Sequence, residues 1–123
     1  MKKYILLCCC LFIFSIGCAT QRPMYSWGDY SSSLYKLKKE PNDENLQKHK
    51  QVLLKIMENS KENGLRVPPG VYCEYGYILM KEGKSNEALS YFDLEEKTYP
   101  ESAVFIQRLK SQFAKTKEQP WKK

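Results

Sequence analysis

From Tyr30 onward, apolar side chains recur every three or four positions, the spacing of one face of an α-helix. Tyr30, Leu34 and Leu37 predict a first helix over about Tyr30 to Lys39. Pro41 stops it, because the ring clashes with the preceding turn and the N–H is missing. Asn42 or Asp43 then caps a longer helix to about Asn63, with Leu46, His49, Leu53, Ile56 and Met57 on its apolar stripe and Gly64 as its stop. Leu65 to Gly70, with the Pro68-Pro69 pair, reads as a linker. Three further helices follow, over about Val71 to Glu82, Asn86 to Tyr99 and Ser102 to Lys117. Ser85 is the expected N-cap of the middle one and Pro100 its end. The fold class expected is all-α, with about five helices.

The pattern before Tyr30 is of another kind. Lys2 and Lys3 precede an uncharged run from Tyr4 to Phe14, and Ser15-Ile16-Gly17-Cys18 closes it with small residues and a cysteine. A helix over Tyr4 to Gly17 would reach roughly 21 Å, short of the roughly 30 Å hydrocarbon core of a bilayer. The arrangement resembles a bacterial lipoprotein signal, which implies cleavage before Cys18 and acylation of that residue. Each buried methylene contributes about 0.8 kcal/mol and one acyl chain binds only marginally, so two or three chains hold a protein on the membrane. The expected organisation is a signal peptide at 1–17, a lipidated tether at 18–28, a helical repeat-like domain at 29–118 and a basic tail at 119–123. Ala19 is not the acidic residue that retains enteric lipoproteins at the inner membrane, which points to the outer membrane of a two-membrane cell envelope.

That reading changes what the composition means. Of five cysteines, Cys8, Cys9 and Cys10 leave with the signal and Cys18 is consumed by lipid, so Cys73 has no partner for an intramolecular disulfide. The formal charge of +6 loses the contributions of Lys2 and Lys3. Elsewhere the charges alternate in sign along helical stretches, the signature of a solvated surface, and no nucleic-acid partner is expected. Contact with anionic lipid would run through the first helix or Lys122-Lys123.

Catalytic material is sparse. His49, the single histidine, lies on an apolar helical face with no serine or cysteine at a nucleophile motif. Cys73 has no neighbouring ligand for a metal, adjacent Glu95 and Glu96 point apart on a helix, and there is no glycine-rich phosphate loop. Neither an enzyme nor a cofactor is expected.

The most specific pattern in the helical part spans Pro69 to Ser102. Tyr72, Gly76, Ala88, Phe92 and Pro100 stand at offsets that resemble one tetratricopeptide repeat of about 34 residues. Gly76 and Ala88 are small where two antiparallel helices press together. Tyr72, Tyr75 and Leu79 fill the inner face, Phe92 packs from the second helix, and Gly83 ends the first. Glu95 departs from the family pattern, which prefers a small residue there, and this puts close packing at that point in question. One repeat cannot bury its own face, so the first two helices and a capping helix carrying Ala103, Ile106, Leu109 and Phe113 must complete the core.

The resemblance implies that the first helix of the pair lines a concave surface for a guest. By helical spacing that surface carries Cys73, Tyr77, Met80 and Lys81, suited to an apolar helix or extended segment. Tyr77 and Met80 also fit a second placement, as core against the preceding helices. Cys73 fits a buried small hydrophobe better than a redox site.

The aromatic turn Tyr25-Ser26-Trp27-Gly28-Asp29-Tyr30, so close after Cys18, resembles the start of a family of small bacterial lipoproteins of unknown function. Its members are similar in length and helical repeat content and are often encoded beside a lipoprotein resembling the curli secretion channel. That resemblance implies a component of an envelope assembly. Trp27 and Tyr30 would either dock at the lipid interface or clasp the first helix. Two functions follow: an anchored adaptor that holds another envelope lipoprotein or secretion component, or a homo-oligomeric structural subunit. Capture of a small apolar ligand between the helices is a third.

Overall fold

The computed structural model describes Met1 and residues 21–118, with side chains as far as Lys115. The expected signal segment beyond Met1, Cys18 and the 119–123 tail lie outside the described residues. Those described form five α-helices and one short 3-10 turn, with no strand among them: α1 Tyr30–Lys39, α2 Asp43–Glu62, α3 Val71–Lys81, α4 Ser85–Thr98, the turn Pro100–Ser102, and α5 Ala103–Glu118. The chain is all-α, as expected.

The joints follow from local chemistry. Asn42 is the N-cap of α2, and its side chain accepts from the Asn45 N–H at 2.8 Å. The Asn45 amide in turn donates to the Glu40 carbonyl and closes the corner after α1. Asp43 and Glu44 then place negative charge against the partial positive charge of the helix start. Two helices end in the same way. Gly64 and Gly83 adopt the left-handed backbone that side chains disfavour, with φ of 62° and 82°. At each, the N–H groups of the glycine and of the next residue turn back: Gly64 to Lys61 and Leu65 to Ser60, Gly83 to Met80 and Lys84 to Leu79.

The second of these endings corrects the expected cap at Ser85. Lys84 is spent on closing α3, and its own carbonyl accepts the first helical bond of α4, from Ala88. Lys84 is therefore the N-cap, without a side-chain cap bond, and Ser85 is already helical. A three-residue connection has no room for a separate capping residue.

α3 is the centre of the packing. Val71, Tyr75, Ile78 and Leu79 are buried against Leu53 and Ile56 of α2, Val67 of the linker and Ala88 of α4. A second cluster, Phe92, Ile106 and Leu109, joins α4 to α5, with Phe113 stacked on Phe92 at 6.5 Å between centroids. Met80 packs against both clusters. The linker is clamped from behind: the Tyr99 hydroxyl donates to the Val67 carbonyl, and the Arg66 guanidinium lies 4.7 Å from the Tyr99 ring centroid. Burial and a hydrogen bond with Tyr25 push the Tyr99 hydroxyl well up from its ordinary pKa, so it stays a donor.

The α3–α4 approach depends on an absent side chain. A methyl group on Gly76 would lie 2.9 Å from Phe92 Cε1 and 3.0 Å from the Ala88 carbonyl oxygen. Alanine at this position gains about 1 kcal/mol of helix propensity, yet overpacking costs about 1–3 kcal/mol. Gly76→Ala is expected to lower the urea midpoint of unfolding despite the better helix former; a raised midpoint would mean that the two helices are free to move apart.

Candidate functional site

An apolar groove of about 580 Å³ runs between α3 and α5. Cys73 and Tyr77 form one wall, Phe105, Ile106 and Leu109 the other, and Pro69 and Gly70 close one end. Tyr77 and Phe105 are 41% and 59% exposed, which is large for apolar rings and puts both at the mouth. Of the residues expected on the concave surface, Cys73 and Tyr77 line the groove. Lys81 stands at its edge, its ammonium 5.4 Å from the Tyr77 ring centroid. Met80 does not line it: it is half-buried between the two core clusters, so for this residue the core placement holds. For Tyr77 the core placement fails.

The floor of the groove carries a residue whose role the sequence did not disclose. Glu95 of α4 is 2% exposed, and its carboxylate accepts from the Gly70 N–H at 2.7 Å and from the Cys73 N–H at 3.4 Å. The first N–H groups of a helix have no partner within it, and Gly70, the N-cap of α3, has no side chain to offer. Glu95 supplies the missing acceptor from the neighbouring helix. A small residue there would leave those donors without their side-chain acceptor, which is why the departure from the repeat pattern is compatible with a closed interface. Burial, then the charges of Glu95 and Glu74, push the Cys73 thiol up to about 11, so it is a neutral thiol at physiological pH.

The second polar cluster holds α1. The Tyr30 hydroxyl donates to Glu74 Oε2 at 2.7 Å, His49 Nε2 lies 3.0 Å from Glu74 Oε1, and Ser33 Oγ lies 2.8 Å from His49 Nδ1. His49 is fully buried, with the Tyr30 ring 5.5 Å away and Trp27 edge-on to Tyr30. This is the clasp, not a docking surface, for Tyr30: its hydroxyl is engaged inside and pushed up to about 12 by burial and by Glu74. Trp27 remains 40% exposed. The order Ser33, His49, Glu74 is that of a charge relay. Ser33 Oγ, however, also lies 2.9 Å from the Tyr30 carbonyl of its own helix, which holds its proton. The arrangement ties α1 to α2 and α3. Between α1 and α2 a smaller polar pocket of about 370 Å³ presents Ser32, Lys36 and Lys48 to solvent. Among the described residues no group of His, Cys, Asp or Glu is placed to hold a metal ion.

Burial alone would raise the Glu74 pKa, but hydrogen bonds from His49 and Tyr30 and the electrostatic influence of His49 and Lys38 leave it below its usual 4.5. A depressed carboxylate stabilises the fold above the unfolded value and loses that contribution as pH falls through the folded one. As pH falls from about 5 through the acid range, Glu74→Gln is expected to lose less stability than the native chain. Equal acid dependence in chemical denaturation would remove Glu74 as its source. At the floor, Glu95→Ala should cost about 1–3 kcal/mol, more than a surface glutamate does, because two helix N–H groups lose their acceptor. Amide exchange at Gly70 and Cys73 should accelerate more than in the rest of α3.

The comparisons with known proteins are narrow. Neither curated proteins nor solved structures supply a match. One family model matches residues 24–109, a stretch that runs from the aromatic turn through the clasp and the α3–α4 hairpin to the Leu109 wall of the groove. By that match over most of its length, the chain belongs to the family described as Domain of unknown function (DUF4810).

Proposed function

We propose that this protein is a lipid-anchored adaptor of the bacterial cell envelope, tethered through Cys18, that holds a segment of another envelope lipoprotein or secretion component in the groove between α3 and α5. The observation that carries this reading is the groove itself. It is apolar and open, two aromatic side chains stand at its mouth, and it lies on the helix whose spacing resembles the guest-binding helix of a tetratricopeptide repeat. An exposed apolar concavity on a small domain is the usual mark of an interaction site. α5 reads as a cap, not as the start of a further hairpin. Where a next repeat would need a small residue, about 34 positions after Gly76, stands Lys110, paired with Asp93 and Glu96 of α4. Outer-membrane sorting and the signal peptide belong to this proposal, as does the repeat-like character of the hairpin.

The test is photocrosslinking in the native cells from position Tyr77, with Lys55 on exposed α2 surface as the comparison site and Cys18→Ala as the unanchored form. One defined protein captured from Tyr77, absent from Lys55 and lost with the anchor, is the expected result. Capture of a second copy alone would transfer the reading to a self-associating structural subunit. Capture of the same set of proteins from both positions would overturn it.

A further inference from the structure

The charges around the groove narrow the chemistry of its occupant; the step rests on the reading of the groove as a docking site. The whole chain is basic, with 20 Lys and Arg against 14 Asp and Glu, yet the groove lining contains two carboxylates, Glu74 and Glu95, and no cation. Glu101 is exposed in the 3-10 turn beside the lining residue Ser102. The basic side chains around it are engaged by other groups or held at its edge. Lys110 pairs with Asp93 and Glu96, Arg66 donates to the Thr98 carbonyl, and Lys81 stays at the edge, its ammonium over the Tyr77 ring. Lys38 acts on Glu74 only through its charge. The Cys73 thiol is pushed up first by burial and then by the charges of Glu95 and Glu74, in keeping with two carboxylates in the lining.

Glu74 also has capacity left. An ionised carboxylate offers about four acceptor sites, and here Tyr30 and His49 take one on each oxygen. We propose that the occupant is an apolar segment of another protein that carries a lysine or arginine side chain, its aliphatic or aromatic groups against Cys73, Tyr77, Phe105 and Leu109 and its cation at the Glu74 end. A fatty acyl chain with an anionic headgroup meets charge of its own sign there, and an acidic peptide does too. Complementarity of this kind selects partners more than it adds raw affinity, so the measurement is a comparison between matched ligands.

Cys73 reports occupancy directly, because it lines the groove and its alkylation can be read by peptide mass spectrometry on the full chain. The probes are two short amidated peptides of leucine and phenylalanine, one centred on lysine and the other on glutamate. The lysine peptide should slow Cys73 alkylation at a concentration about tenfold below the glutamate peptide. The preference should shrink in Glu74→Gln and, partially, in Glu101→Gln, an exposed site whose change leaves the clasp intact. Equal protection by the two peptides, or a preference unchanged in both variants, overturns the inference. So does protection that depends only on protein concentration, which would identify a second copy as the occupant. Capture of one partner from Tyr77 in cells without a lysine preference would sink this step and leave the adaptor reading standing. A lysine preference with no capture in cells would do the reverse.

Discussion

Everything in this domain is arranged around α3, and α3 sits where it does because Gly76 has no side chain. The hydrogen of that glycine faces Phe92 and the Ala88 carbonyl across the hairpin, at separations that a methyl group would violate. The close approach has two results. It brings Glu95 of α4 within reach of the first turn of α3, and it leaves Phe92 free to meet Ile106 and Phe113 on its other side. If α3 and α4 were further apart, the floor of the groove would be missing and its α5 wall would have nothing to pack on.

α3 is thus held by two carboxylates of opposite provenance. Glu95 approaches from α4 and closes the helix start; Glu74 projects from α3 itself and gathers Tyr30 and His49 from the two preceding helices. Removing a carboxylate from water is costly unless its oxygens are occupied by donors, and both are. α1 has no buried residue of its own. Its attachment therefore leans on this polar clasp and on the Tyr30 ring packed against His49 and the core. The polar contacts fix which way the helix faces, a specification that a strip of interchangeable leucines supplies less well.

The helices were legible in the sequence because their signals are local. Asn42 three residues before Asn45, Gly64 and Gly83 at helix ends, and Pro41 after α1 act within one turn of themselves. The misreading of Ser85 came from the same level of description: serine is a good cap in isolation, but the glycine-closed end of α3 had already used the neighbouring residue. The site was only half legible. Helical spacing brought Cys73 and Tyr77 to one face, but whether that face is covered depends on α5, which no local pattern describes; Met80, one turn further, falls on the covered side. The roles of Glu95 and His49 were out of reach for a plainer reason. Their partners lie 16 to 25 residues away, and the Tyr30–Glu74 bond spans 44. The one available signal was negative: a glutamate where close packing wants a small residue, and a histidine within an apolar stripe, each need partners that the local sequence does not offer.

The same geometry weighs the two assemblies against each other. A repeat that stacks end to end must present an apolar face at its growing edge, and terminal elements that stop growth carry a polar one. On α5 the exposed outer positions are Val104, Arg108, Ser111, Gln112 and Lys115, largely polar, and Lys110 beneath them is tied back to Asp93 and Glu96. Stacking through this face would desolvate those ions for one exposed valine. The apolar groove lies to the side, with Tyr77 and Phe105 at its mouth, where the walls belong to two different helices and the floor is acidic. A second copy of a basic chain would be drawn to that floor by charge, but it must bring an apolar segment with it, and within α5 Phe105 lies on the rim of the groove itself while Val104 stands among polar neighbours on the outer face. The polar outer face of α5 therefore speaks against end-to-end stacking, while the lateral groove stays open to a guest.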